Sequence, residues 1–227
     1  MNPTPPKGHL HQSGRPATRI GIGASEGMLV DQISLVTFDR GVADDAEFLR
    51  PDRYRLAENS DGTGSKIARG GGYSYAAASF GAGSLVVDMT RFDRVLRFDP
   101  ALRLIEVEAG VTLGDLLKLT IPAGLWLPVQ PGYPAITIGG CIAANVHGKN
   151  PAQSGTFRHS VVDITLFHPS HGTLRITKDR ETTVFDLTCG GYGLTGIILA
   201  ATLRLAPLPG SRLSRARIPL RDLQAGL

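Results

Sequence analysis

Apolar and polar positions along the chain sort into short runs, most of them at the spacing of strands. SLVVDM (84–89) is apolar and too short for a helix of ordinary length, which suits a buried strand. KIARGGGYS (66–74), just ahead of it, reads as a short strand entering a glycine-rich turn. VLRFDPALRLIEVEAG (95–110) alternates in two halves around Asp99 and Pro100 and predicts a hairpin. In VVDITLFHPSHGTLRIT (161–177), Val162, Ile164 and Leu166 alternate with Asp163 and Thr165 before the turn PSHG, predicting a second hairpin. LWLPVQPG (125–132) predicts a strand running into a Pro-Gly turn, and IILAATLRLAP (197–207) a last strand.

Helical spacing is rarer. TLGDLLKLTIPAG (112–124) predicts a helix capped by Thr112, with Asp115 in its first turn, Leu113, Leu116 and Leu117 on one face, and Pro122 and Gly124 as its stop. VFDLTCGGYGLTG (184–196) predicts a short helix broken by glycines, while Asp44 and Asp45 read as a solvated helix start. RLSRARIPLRDLQAGL (212–227) predicts a linker and strand entering a helix capped at Asp222, with about one turn following. Strand pairs separated by single helices point to an α+β fold over a doubly wound sheet.

Composition narrows the class. Of the 227 residues, 42% are hydrophobic and 19% charged, the balance of a soluble globular chain. No apolar run approaches the roughly 20 residues of a membrane span, and the first residues lack the apolar core of a secretory signal. The only two cysteines, Cys141 and Cys189, lie in no CxxC or disulfide spacing, so reduced thiols and a cytoplasmic location are expected. A net charge of +4 without a basic block interleaved with aromatics argues against nucleic acid as a partner. His159, His168 and His171 fall at no metal-ligand spacing.

Three glycine-rich segments carry the candidate chemistry: ARGGGYSY (68–75), PGYPAITIGG (131–140) and GGYGLTG (190–196). Glycine turns expose several backbone N–H groups at once, and a concave set of them binds phosphate oxygens. Each segment taken singly reads first as an ordinary turn needing positive φ, and it is the three together that point to a ligand. None matches GxGxxG with a following acidic residue, nor GxxxxGK[ST], which excludes the standard dinucleotide and P-loop readings. The second segment continues as TIGGCIAANVHGKN (137–150), where small residues give way to a histidine and a lysine.

ARGGGYSY, TIGGCIAANVHGKN and GGYGLTGIILAATLRLAP, in that order, resemble the PCMH-type FAD-binding domain of the vanillyl-alcohol oxidase/p-cresol methylhydroxylase flavoproteins. Within that family the chain is most similar to the branch of decaprenylphosphoryl-β-D-ribose 2′-oxidase-like and sugar or alditol oxidases. The resemblance spans 66–207 and leaves the N-terminal part uncovered. It implies mixed β-sheets flanked by helices with the substrate domain absent: a flexible tail over 1–20, the FAD-binding domain over 21–210, and over 211–227 the start of a truncated substrate domain.

Carried across residue by residue, the resemblance implies that Arg69, Gly70, Gly71, Gly72, Tyr73, Ser74 and Tyr75 wrap the FAD pyrophosphate. Gly132, Thr137, Ile138, Gly139 and Gly140 would line it from the other side, Ala144, Asn145, Val146 and His147 would approach the isoalloxazine, and Ile197 would offer its backbone near the adenine or ribityl end. Tyr73 stands where some members carry a covalently attached histidine, implying non-covalent FAD. The bare backbone then exists so that ring and diphosphate can lie against it, and Gly139→Leu should lose FAD while keeping much of the fold.

His147 and Lys149 are the candidate catalytic residues, each with a second reading: His147 as the polar residue of a helix-to-loop junction, Lys149 as a solvated loop lysine. Cys141 and Cys189 read as packing residues. The implied reaction is oxidation of an alcohol group of a sugar, sugar lactone, alditol or polyprenyl-phosphate sugar by hydride transfer to flavin N5. Two alternatives remain open: a truncated FAD-binding module without independent activity, acting with a partner chain or a missing C-terminal domain, and a basic interaction module without cofactor.

Overall fold

Two large β-sheets, a two-stranded ribbon and the helices that cover them make up the described residues. The structure is a computed structural model that describes residues 30–58, 65–75, 78–149, 151–210, 212, 217, 219–222 and 224. The expected tail over 1–20 lies outside the described residues, as does most of the helix expected after Asp222.

In chain order the elements are β1 (Asp31–Val36), β2 (Ala43–Leu49), α1 (Tyr54–Glu58), β3 (Lys66–Arg69), β4 (Leu85–Asp88), β5 (Val95–Asp99), β6 (Leu104–Glu108) and α2 (Leu113–Thr120). There follow β7 (Leu125–Trp126), α3 (Ile138–Ala143), α4 (Pro151–Ser154), β8 (Val161–His168), β9 (Gly172–Thr177), α5 (Thr182–Thr188), β10 (Ile197–Arg204) and β11 (Ala206–Pro207). The first sheet has the order β1-β2-β4-β3, with β4 parallel to both neighbours and β1 antiparallel to β2. The second, β5-β6-β10-β8-β9, is antiparallel throughout. This is the expected α+β class, with one mixed sheet and flanking helices.

The apolar run of β4 is buried at every position because it is covered on both faces. Val86 packs with Leu35, Phe48 and Phe80 on one side, while Leu85 and Val87 pack on the other with Leu49, Met89, Phe167, Ile197 and Leu199. That second cluster draws on both sheets and holds them together. The largest core lies on the opposite face of the second sheet, where α2, α3 and α5 cover Ile105, Val107, Ile164, Leu166 and Leu203. Thr112 caps α2 by accepting the Asp115 N–H, and Gly124, at φ 72, ends the 3-10 turn that follows.

Two expectations need correction. Asp44 and Asp45 lie in β2 and start no helix: Ala46 and Phe48 alternate inward, and Asp45 accepts a hydrogen bond from the Ser34 hydroxyl across the β1–β2 pair. Of LWLPVQPG, only Leu125–Trp126 forms a strand, paired with β11. Pro128 and Pro131 have no N–H to give a ladder, so Leu127 and Val129 are buried outside it. The stretch 31–49, which the resemblance leaves uncovered, supplies two of the first sheet's four strands.

At the junction of the sheets, the fully buried carboxylate of Glu108 accepts hydrogen bonds from the Tyr54 hydroxyl (2.7 Å) and from the Arg94 amide (2.8 Å), Nε (3.1 Å) and Nη2 (2.6 Å). Burial alone would raise its pKa, but the bonds from Arg94 and Tyr54 outweigh burial and hold it below the usual carboxylate range. A depressed folded-state pKa adds stability above the unfolded value of about 4.3 and loses it as pH falls through the folded value. Glu108→Gln should therefore lower stability at pH 7 by about 2 kcal/mol and flatten the acid limb of a pH-dependent denaturation series.

Candidate functional site

β3 is an edge strand, and the site begins where it ends. The Met89 amide donates to the Arg69 carbonyl (2.8 Å), closing the ladder, and the chain then turns away through Gly70, Gly71 and Gly72. Among the described residues, the amides of Gly70, Gly71, Gly72 and Tyr73 donate to no carbonyl or side chain. The turn has little room for side chains. A Cβ on Gly70 would run into the Thr137 hydroxyl, one on Gly71 would stand 2.6 Å from the Tyr73 ring, and one on Gly72 would strike the Arg69 guanidinium.

Arg69 thus lies beneath its own turn. Its Nη1 donates to Ser79 Oγ (2.8 Å), and its guanidinium sits 5.5 Å from the centre of the Phe80 ring. Burial lowers its pKa and the Asp88 charge offsets part of that, but a guanidinium stays protonated. Asp88 itself is ion-paired with Arg50 (2.6 Å), and among the described residues Arg69 has no carboxylate at ion-pair distance. A half-buried cation with no carboxylate at ion-pair distance among the described residues, under four unpaired amides, makes an electropositive concavity of the kind that can receive an anion.

The other two glycine segments work differently. Thr137 caps α3, accepting the Gly140 amide (3.3 Å), while the Ile138 and Gly139 amides donate to the Val111 and Ala109 carbonyls, both at 2.8 Å. The first turn of α3 therefore spends its donors on the protein. Gly139 is bare because Ala109 occupies the space, its Cβ 2.9 Å and its carbonyl oxygen 3.1 Å from where a side chain would start. This corrects the expected outcome of Gly139→Leu: the close approach is protein against protein, so the change attacks the fold. A Cβ on Gly140 would meet only the Thr137 hydroxyl at 3.2 Å and Ile136 at 4.0 Å, and it borders open space.

In the third segment, the Gly190 amide donates to Ile142 O (3.1 Å) and the Tyr192 amide to Ala143 O (2.9 Å), satisfying carbonyls at the C-terminal end of α3. Tyr192 (φ 50) and Asn145 (φ 42) hold left-handed conformations rare outside glycine. Asn145 is fixed there by its Oδ1, which accepts the Arg158 amide (3.1 Å).

These pieces enclose one cleft of about 610 Å³, inside the roughly 300–1,000 Å³ range of ligand pockets. Arg69, Gly70, Gly71, Gly72, Tyr73, Ser74, Tyr75, Thr137, Gly139, Gly140, Ala144, Asn145, Val146 and His147 all line it. Gly132, Ile138, Lys149 and Ile197 do not. Ile138 and Ile197 face the core, and Lys149 lies over Gly132, its Cε 3.6 Å from the space above that glycine. Ser79, Met89, Ala109, Tyr192, Gly193 and Ile198 line the cleft without having been singled out from sequence. Tyr192 and Gly193 belonged to a recognised glycine segment and were legible from it; Met89 and Ala109 are ordinary core residues until the fold brings them there.

His147 is exposed on the cleft wall, and its Nδ1 lies 2.9 Å from the Gly148 carbonyl. A carbonyl only accepts, so Nδ1 carries the proton in that bond and a neutral ring keeps its lone pair on Nε2. His159, by contrast, caps a 3-10 turn by accepting the Thr156 amide (3.1 Å). Cys141 and Cys189 are free and buried; burial pushes the Cys141 thiol well up and that of Cys189 to about 11, which leaves both unreactive. Among the described residues no helix is long and apolar enough to cross a membrane.

The sequence profile of a family described as FAD binding domain matches residues 61–178. The decaprenylphosphoryl-beta-D-ribose oxidase of Mycolicibacterium smegmatis is 40% identical over 154 residues, covering 67% of this chain and 33% of the relative. A D-lactate dehydrogenase of Anaerostipes hadrus is 29% identical over 153 residues, 65% of this chain and 32% of the relative. Among solved structures, an alkyldihydroxyacetonephosphate synthase superposes with a TM-score of 0.66 at 21% identity, over 76% of this chain and 34% of that one, a likeness of fold. The chain spans about a third of the length of the curated relatives it matches.

The two neighbouring glycines of α3 should separate in experiment. Gly139→Ala is expected to cost about 1–3 kcal/mol by overpacking against Ala109, read from a chemical denaturation midpoint. Gly140→Leu should stay near wild-type stability, because its side chain enters the cleft, and should block whatever the cleft binds.

Proposed function

The chain belongs to the FAD binding domain family, and from that premise we propose that it holds FAD non-covalently in this cleft, as the cofactor-binding part of an oxidoreductase acting on an alcohol group. The single observation that carries the reading is the row of amides from Gly70 to Tyr73, unpaired among the described residues, above Arg69, which has no carboxylate at ion-pair distance. That donor set fits a diphosphate in charge and in hydrogen-bonding sense, all donors and no acceptor. The rest of the cleft fits a flat apolar group, with Gly140 leaving space that a side chain would fill and Ala143, Ala144, Val146 and Ile198 as its walls. Tyr73, rather than a histidine, on the first turn supports non-covalent attachment.

FAD, held by the first glycine turn and Arg69, would supply the oxidising equivalent for removal of a hydride from the carbon that bears the hydroxyl. The chain's own contribution is to bind, orient and move a proton. Arg69 and the first turn anchor the anionic end. His147, with Nδ1 committed to Gly148, offers Nε2 as the base that accepts the substrate's hydroxyl proton. Lys149, beside the Pro131–Gly132 turn, adds positive charge near the cleft mouth. The likeness to the ribose oxidase supports a sugar, sugar lactone, alditol or polyprenyl-phosphate sugar as substrate. Two unpaired, buried thiols are in keeping with a cytoplasmic location.

A second reading, an FAD-binding module that turns nothing over by itself, is favoured by the coverage of about a third of its relatives. Reduction of an acceptor dye with alditols or aldonolactones separates the two: turnover by the purified chain supports the first, and FAD binding without turnover supports the second.

A ligand bound only by the folded state stabilises it by RT ln(1 + [L]/Kd), about 2.7 kcal/mol at a hundredfold excess over Kd. FAD should accordingly raise the melting temperature. Arg69→Met should weaken FAD binding about ten- to a hundredfold, the scale of a lost hydrogen bond to a charged group. A wild-type chain whose melting temperature ignores saturating FAD would contradict the reading.

A further inference from the structure

The β1–β2 turn lies outside the matched stretch 61–178, yet it touches the first glycine turn directly. The Phe38 amide donates to the Ser74 carbonyl (3.1 Å). Its ring meets Tyr73 edge-on at 5.6 Å between centroids, Tyr75 edge-on at 5.5 Å and Tyr133 at 6.2 Å, and Tyr73 meets Tyr133 at 4.7 Å. Tyr73 and Tyr75 belong to the turn with the unpaired amides, and Tyr133 to the loop that leads into α3. Phe38 therefore joins three separate segments at one end of the cleft.

The turn that presents Phe38 is stiff. The buried Thr37 hydroxyl donates to Asp39 Oδ1 (2.6 Å) and accepts the Val42 amide (3.1 Å), while the Gly41 amide donates to the same Asp39 oxygen (3.1 Å). The Phe38 ring remains 48% exposed, so core packing gives a weak account of a phenylalanine at this point. What it touches is a turn whose backbone lacks ladder bonds. Past Arg69 the first glycine turn has left the β-ladder, and among the described residues the amides of Gly70 to Tyr73 donate no hydrogen bond to the protein.

We propose that Phe38 is a positioning residue: it latches the β1–β2 turn onto the first glycine turn and keeps the amides of Gly70 to Tyr73 at the spacing an anionic diphosphate needs. A turn ordered beforehand binds more tightly than one the ligand must order, because the conformational entropy has already been lost. The inference rests on the FAD reading and extends the site to a part of the chain that the family match does not include.

The test is FAD affinity, read from quenching of flavin fluorescence at a temperature where every variant is folded. Phe38→Ala should weaken binding about tenfold, and Phe38→Tyr, which restores the ring, should return it to within about twofold of wild type. Leu35→Ala removes a buried side chain from the same hairpin, away from the latch. It should lower the melting temperature more than Phe38→Ala does and leave FAD affinity unchanged. Should Phe38→Ala fail to fold, Phe38→Leu takes its place with the same expected loss, since it keeps apolar bulk and loses the ring contacts.

Affinity within twofold of wild type in Phe38→Ala or its Leu substitute overturns the latch, as does an equal loss of affinity in Leu35→Ala, which would make the effect one of general stability. A wild-type chain that quenches no flavin overturns the FAD reading itself and is told apart by that control.

Discussion

The edge position of β3 is the constraint on which the site depends. A strand at the rim of a sheet has neighbours on one side only, and where it leaves the ladder its amides need a new partner, water or ligand. β4 is covered on both faces and flanked by β2 and β3, and among the described residues β3 pairs with no other strand. The chain then passes through three glycines with Thr137, the Tyr73 ring and the Arg69 guanidinium filling the places of their missing side chains. A turn this compressed exposes its backbone because its own side chains have been folded underneath it.

Charge and polarity divide along the cleft in a way that suits a molecule with one anionic and one flat end. Arg69 and the unpaired amides concentrate donors at the first turn. The opposite wall has spent its donors: α3 gives its first amides to Val111, Ala109 and Thr137, and the third glycine segment gives two of its own to α3. Glycine thus serves two ends in one site. In the first turn it leaves backbone donors unpaired; at Gly139 it lets α3 press against the backbone at Ala109. The β1–β2 turn, through Phe38, closes the same arrangement from outside the matched domain.

Where side-chain periodicity carried the information, the sequence was legible. Both hairpins, the helix capped by Thr112, the buried strand at 84–89 and the α+β class follow from alternation and capping chemistry, and three glycine segments converging on one cleft follow from motif order. The role of each glycine was not legible, because a missing side chain does not say what occupies its place: Gly139 faces Ala109 while its neighbour Gly140 faces the cleft. Ile138 and Ile197 sit inside recognised segments but face the core, since a helix turns part of each 3.6-residue repeat, and a strand every second residue, away from a ligand. Asp44 and Asp45 look like helix-start residues by type, and only pairing with β1 makes them a strand. Phe38 carried no signal at all, its importance arising from contacts with residues far along the chain.

On the proposed reading, the amides of Gly70 to Tyr73, and not those opening α3, receive the anionic part of the cofactor. Titrating FAD into the isotope-labelled chain and following backbone amide resonances tests it directly. The account predicts that Gly70, Gly71, Gly72 and Tyr73 show the largest amide shift changes, while the Ile138 and Gly139 amides, already bonded to protein carbonyls, move little. Saturable FAD binding that perturbs the α3 amides and leaves the first turn unmoved would contradict it.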